Sequence, residues 1–152
     1  MSTISEIKWK PYDGEIVNTN LIIRKGKKIQ ETAFFEDRVK AVPQGNAYCI
    51  GNGPSRKGFD LRKLKATGQT YGCNALYRDF IPDFIFSVDT NMSMKMVEDE
   101  VGLKAVHYAP ALQANRKESK GMIHLIPNNP NWISGNVAFW TAGVHGHRNI
   151  YL

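Results

Sequence analysis

A chain of 152 residues with 42% hydrophobic, 11% aromatic and 22% charged residues suits one globular domain with a modest core, and excludes a disordered or low-complexity protein. No apolar run approaches a membrane span, and the leading MSTISEIKWK lacks the apolar core of a signal peptide, so no membrane partner is expected; two cysteines read as reduced thiols make an intracellular site of synthesis the expectation. The net charge of +6 is unevenly spread: residues 1–45 carry eight basic and six acidic side chains, residues 46–70 five and one, and residues 71–152 seven of each. Arg56, Lys57, Arg62, Lys63 and Lys65 thus hold most of the excess. That placement favours a local anion site over a general nucleic-acid surface, with a solvated loop and helix face as the alternative.

In chain order, NLIIRKGKKIQET predicts two strands joined at Lys25-Gly26-Lys27, a β-hairpin, and AFFEDRVKA a short amphipathic helix ending near Pro43. Residues 1–44 carry no chemical motif and are expected to be an extension that packs on the main domain or reaches a partner. From Asn46 the pattern changes. AYCIG is a short apolar run of the buried parallel kind, and SRKGFDLRKLKA places Phe59, Leu61 and Leu64 at near-helical spacing. TYGCN is a second strand, ALYRDFIP a short helix or turn, DFIFSVD a third strand, and Lys95 to Val101 a helix. KAVHYA and MIHLIP are further strands, SGNVAFWTAGVHG a helix beginning at Ser134, and RNIYL a last strand. Strands alternating with short helices predict an α/β fold: a Rossmann-like, mostly parallel sheet over residues 45–152, with helices on both faces.

In such sheets ligands bind where loops leave the carboxyl ends of strands. Four loops gather small or polar residues there: Gly51-Asn52-Gly53-Pro54-Ser55, Cys73-Asn74, Asp89-Thr90-Asn91 and Ser134-Gly135-Asn136. Gly51 and Gly53 would let backbone approach a ligand and adopt positive φ, and the helix expected next would point its positive end at the loop. GNGPS is neither the dinucleotide fingerprint nor a Walker loop, and alone a tight turn explains it equally well. Asp89 closes an apolar strand, where it could bind a ribose hydroxyl or a metal ion, or simply cap the next helix together with Thr90. Ser134 could likewise be a cap. The histidines, His107, His124, His145 and His147, lack zinc-ligand spacing and read as structural, with His107 or His145 the candidates for a general base. Cys49 and Cys73 read as reduced, buried thiols without a base partner. Trp132, Phe139 and Trp140 read as core or an aromatic wall, core being the default.

AYCIGNGPSRKGFDLRKL, TYGCNALYRDFIPDFIFSVD and SGNVAFWTAGVHGHRNIYL resemble a superfamily holding the family 42 bacterial sialyltransferases, the motility-accessory-factor glycosyltransferases and the 6-hydroxymethylpterin diphosphokinases. Its members are similar in a strand ending GNGPS or GSGPS, a strand ending in Asn, and a late SG-helix-strand unit. The resemblance covers about residues 46–90 and 133–152. Small proteins of tailed bacteriophages look similar too.

The resemblance implies a nucleotide or nucleotide-sugar ligand, with Gly51, Asn52, Gly53, Pro54 and Ser55 holding phosphate and ribose. Asn74 would contact nucleotide or donor, Asp89 would stand at a polar family position and could hold Mg2+, and Ser134 and Gly135 would approach the cytidine or its equivalent. In the family the strand matching RNIYL runs on into a Gly-x-Asp loop and further chain with the catalytic groups. This sequence ends at Leu152, so no catalytic residue is assigned, and either a minimal form or a piece of a longer chain is expected. The expected activity is a glycosyltransferase-like or diphosphokinase-like transfer. The alternative is a non-catalytic phage protein, either a nucleotide-binding module or a virion component. The expected location is the host cytoplasm or the virion, with a second copy or phage structural proteins meeting residues 1–44 and nucleic acid not a partner.

Overall fold

The computed structural model describes residues 3–8, 18–24, 27–34, 45–110, 113, 117–120, 122–126 and 132–152, with side chains from residue 45 onward except 117 and 125. Strands β1 (Thr3–Lys8), β2 (Asn18–Arg24) and β3 (Lys27–Phe34) form an antiparallel sheet in that order. The expected hairpin is the β2–β3 pair. β1, in register from Thr3 opposite Arg24 to Lys8 opposite Thr19, has no clean two-residue alternation to announce it. The helix expected at AFFEDRVKA loses its first two residues to β3, and its remainder lies outside the described residues.

The second sheet has six strands, all parallel: β4 (Asn46–Ile50), β5 (Gln69–Cys73), β6 (Phe84–Phe86), β7 (Val106–Ala109), β8 (Ile123–Leu125) and β9 (Asn149–Tyr151). Their order is β8-β7-β6-β5-β4-β9. The chain therefore steps one way from β4 to β8, then returns to place β9 on the other flank of β4. Right-handed crossovers put the outgoing and returning helices on opposite faces. α1 (Arg62–Lys65) and α2 (Thr90–Glu98) cover one face, where Ile50 packs with Leu61 and Leu76, and Ile85 with Met96 and Val101. α3 (Ser134–Val144) covers the other, burying Val137, Ala138 and Ala142 against Ala47, Tyr71, Phe84 and Tyr108. This is the expected α/β architecture. Among the described residues no helix is long and apolar enough to cross a membrane.

Strand alternation decides which groups meet on the α3 face. Tyr71, Phe84, Phe86 and Tyr108 point the same way from β5, β6 and β7 and stack in a ladder, with centroids 4.7 Å apart for Tyr71–Phe84 and 5.1 Å for Phe86–Tyr108. Each buried ring contributes roughly 2–3 kcal/mol. The Tyr71 hydroxyl meets His145 Nδ1 at 2.5 Å and His147 Nε2 at 2.8 Å, so the turn after α3 is tied into the core. On the opposite face Ser87 Oγ bonds both Ser93 Oγ, at 2.8 Å, and His107 Nε2, at 2.7 Å.

Two expectations about helices are corrected. SRKGFDLRKLKA is a 3-10 turn (Pro54–Arg56) followed by only four helical residues, because Gly58 takes φ +85° and Asp60 accepts from Arg62 N at 3.1 Å, restarting the chain. Leu61 and Leu64 reach the core, but Phe59 stays 54% exposed. α2 starts five residues ahead of Lys95, where Asp89 Oδ1 accepts from Met92 N at 2.9 Å, and ends at Glu98.

Candidate functional site

The expected loops do converge at the carboxyl edge. Asn52 Nδ2 donates to Cys73 O at 2.9 Å, joining the loop after β4 to the end of β5. Ser134 Oγ donates to Asn74 Oδ1 at 3.2 Å and accepts from Val88 N at 3.3 Å, joining α3 to the ends of β5 and β6. Ser134 is buried and acts as a tie between loops, while Ile133 is the residue at the N-cap of α3. Asn74 holds φ +52°, a left-handed conformation that Asn tolerates better than most residues. Its Oδ1 is engaged, and its Nδ2 has no partner among the described residues.

A cavity of about 490 Å³ opens between these loops, lined by Gly51, Gly53, Ser55, Gly135, Asn136 and Phe139, with Cys49 and Cys73 also contributing. It lies beside the point where chain direction reverses, between β4 and β9, the place where open parallel sheets bind ligands. Clefts at the opposite edge, near Asp83, sit at the amino ends of strands. There Asp83 Oδ2 is already occupied by Thr70 N and Oγ1, at 2.8 and 2.9 Å.

The glycines of this cavity do not take the positive φ expected of Gly51 and Gly53. Positive φ among glycines is confined to Gly58 and Gly146 in the described residues, and Gly53 has φ −69°. A Cβ built on Gly51 or Gly135 would meet nothing within 4 Å, and one on Gly53 only the Ser55 hydroxyl at 3.8 Å. Gly68 is the contrast, since its Cβ would strike the Asn46 carbonyl oxygen at 2.5 Å. The fold needs glycine at 68 and does not need it at 51, 53 or 135.

Electrostatics here also differ from expectation. The stretch after GNGPS is not a helix aimed at the loop; the positive helix end at this cavity is the first turn of α3, through Gly135 and Asn136. Nor do the basic residues gather. Arg62 pairs with Asp60 at 2.9 Å, and Lys65 reaches Asp83 at 3.6 Å toward the amino edge. Arg56 remains at the loop, where Nη2 donates to Asp79 Oδ2 at 2.9 Å and Asn52 Oδ1 at 3.5 Å. Its Nε is buried without a partner among the described residues.

Asp89 is exposed, with one oxygen spent on the α2 cap. Among the described residues no three His, Cys, Asp or Glu side chains gather as a metal group. His107 and His145 are fully buried, and burial pushes the pKa of each down to about 3; His147 adds to the lowering at His145. Neither reaches the cavity, which argues against a general-base role. Phe139 is 45% exposed and walls the cavity, and Trp132 is 38% exposed, so core is the wrong reading for both.

The two thiols, half-buried and free, form part of the floor. Burial, and then the neighbouring Cys73, push Cys49 up to about 12, and burial raises Cys73. At pH 7.5 Cys49 should alkylate with iodoacetamide about a hundredfold or more slower than in urea-unfolded protein, and Cys73 more slowly than when unfolded, because the thiolate is the nucleophile. Equal rates in the two states, followed by mass spectrometry, would contradict this placement.

Sequence reasoning counted Arg56 only within a basic cluster that favours an anion site, and gave Phe139 core as its default over an aromatic wall, although its helical phase relative to Val137 and Ala138 would have exposed it. Gln113, whose Nε2 donates to Val88 O at 3.1 Å and Thr90 Oγ1 at 3.0 Å and steadies the loop after β6, carried no signal. Comparison with protein-family models, curated proteins and solved structures gave no match.

Proposed function

We propose that this chain binds a nucleotide or nucleotide-linked sugar in the cavity at the carboxyl edge of β4, with phosphate along Gly51, Asn52, Gly53, Pro54 and Ser55. The observation that carries the reading is the open space at Gly51, Gly53 and Gly135, three positions in one cavity whose lack of a side chain serves no contact within the protein. Backbone left bare toward a cavity suits close approach by phosphate, and the first turn of α3 adds a positive dipole end. Asn74 offers an amide donor with no partner among the described residues, and Ser134 holds it in place. A magnesium ion, if bound, would rely on ligand phosphates together with Asp89.

A second reading, binding without turnover, is favoured by the cavity lining, which holds no histidine or carboxylate among the described residues. In either case the chain is expected to be of the phage kind that YGCNALYRDF resembles.

Calorimetric titration with CMP, CDP, UDP, GDP and ATP, with and without magnesium, tests the reading. At least one is expected to bind, and Asn74→Gly, which keeps the left-handed backbone while removing the amide, should weaken it about tenfold. Hydrolysis or transfer during incubation would select the transferase over the sequestering module. Silence from every nucleotide at millimolar concentration would refute binding and leave the fold as a packing element of a virion.

A further inference from the structure

A second cleft meets the first at the end of β4. It measures about 320 Å³, opens toward the α1 face of the sheet, and shares Cys49, Ile50, Gly51, Gly53 and Ser55 with the α3-side cavity. Its chemistry is different. Tyr48 and Tyr151, paired in register on adjacent parallel strands, stack with centroids 5.3 Å apart and planes 21° apart. Phe59, Leu61 and Leu64 line it as well, and Arg56 is its charged member. Phe59 and Tyr151 stand 54% and 50% exposed, large rings kept in water beside a loop that already looks built for a ligand.

The contents of the cleft narrow what it can hold. The Tyr48 hydroxyl is engaged with Thr67 Oγ1 at 2.8 Å, so the walls offer flat apolar surface and few hydrogen-bonding groups. A polyhydroxylated sugar placed there would leave hydroxyls unpaired, whereas a planar heteroaromatic ring finds rings to stack on. The α3-side cavity, by contrast, carries Asn136 at its surface with Asn74 tied close by to Ser134.

We infer that the ligand straddles the end of β4, with its planar base in the Tyr48–Phe59–Tyr151 cleft, its phosphate over the Gly51–Ser55 saddle beside Arg56, and whatever the phosphate carries in the α3-side cavity. This rests on the nucleotide reading above and deepens it, making the ligand two-headed, a nucleoside diphosphate joined to a polar group. It also seats the base on the face opposite the one that the family resemblance implies for Ser134 and Gly135. Arg56 lines the second cleft next to Ser55, which both clefts share, and its Nη2 already donates to Asp79 and Asn52.

Calorimetry on the full chain separates the alternatives, using whichever of CMP, CDP, UDP, GDP and ATP binds best, and ribose 5-phosphate as the ligand without a base. The Phe59→Ala/Tyr151→Ala pair should weaken the nucleotide about tenfold or more and leave ribose 5-phosphate unchanged, since stacking is lost and the phosphate contact kept. Phe139→Ala should change the free nucleotide less than twofold. Base protons should shift upfield on binding, a ring-current signature lost in the double variant. Both aromatic positions are half exposed, and Phe59→Leu/Tyr151→Leu, which keeps bulk without rings, serves should the alanine pair disturb β9. The reverse pattern, with Phe139→Ala weakening the nucleotide and the aromatic pair without effect, overturns the base placement while the nucleotide reading stands. If no nucleotide binds the wild type, both fall together.

Discussion

Between pH 7.5 and pH 5 the folded state is expected to lose about 4 kcal/mol of stability, seen as a falling urea midpoint at nearly constant slope. The source is the pair of buried histidines. His107 and His145 are each 0% exposed, and burial holds both near a pKa of about 3, against about 6.5 for an unfolded histidine. Above pH 6.5 both states carry neutral imidazole, and these groups leave stability unaffected. Below it the unfolded chain takes up protons that the folded chain refuses, so stability falls as pH falls, by up to about 1.4 kcal/mol per unit for each histidine. At pH 5 that is about 2 kcal/mol each. The loss continues until pH approaches the folded value near 3. His147, also lowered, adds a smaller share in the same direction. Carboxylates held low by hydrogen bonds, Asp60 by Arg62 and Asp99 by Tyr77, keep their stabilisation above pH 4 and do not confuse this window. His107→Gln should remove about half the pH slope whatever it does to stability itself. A midpoint that stays flat from pH 7.5 to 5 would show that the imidazoles charge without unfolding the chain.

Why the sheet was readable and the site only partly so follows from how each signal arises. AYCI, TYGC, DFIF and KAVHYA are short β-branched or aromatic runs bounded by Gly, Asn and Asp, and burial on both faces demands that composition wherever the strand sits. The returning helix was equally plain, since Ser134 to Val144 places Val137, Ala138, Thr141 and Ala142 on one stripe. Local spacing misled where a single backbone position overrides it. Gly58 at φ +85° cut short a pattern that Phe59, Leu61 and Leu64 seemed to support, and the Asp89 cap moved the start of α2 forward. Charge misled for another reason. Five basic residues within ten positions look like one patch on paper, but α1 carries Lys65 toward Asp83 at the far edge, and Arg62 folds back on Asp60. The tie from Ser134 to Asn74 spans 60 residues, and only the sheet order brings the two together.

Replacing Gly51 with valine is expected to weaken nucleotide binding, and replacing Gly135 the binding of a nucleotide that carries a second group, at least a hundredfold each, while leaving stability within about 0.5 kcal/mol of wild type. The two halves come from the same fact. Neither residue has a protein atom beyond its immediate backbone within 4 Å of its missing Cβ, and neither has a positive φ, so the first side-chain carbon has room and the γ-methyls extend from open space. The added methyls then occupy cavity space and hold a phosphate off the loop amides, and a shift of about 1 Å costs most of a charge-assisted hydrogen bond. Gly68→Ala is the control with the opposite signature. Its Cβ meets the Asn46 carbonyl oxygen at 2.5 Å, so it should destabilise the start of β4 by roughly 1–3 kcal/mol and leave the affinity of the surviving folded fraction unchanged. Gly51 lies on the saddle and Gly135 only on the α3 side. If Gly51→Val blocks a free nucleotide and Gly135→Val blocks only a nucleotide carrying a second group, the ligand crosses the end of β4. If both valines bind like wild type, the bare backbone has no ligand to explain it and the nucleotide reading loses its main support.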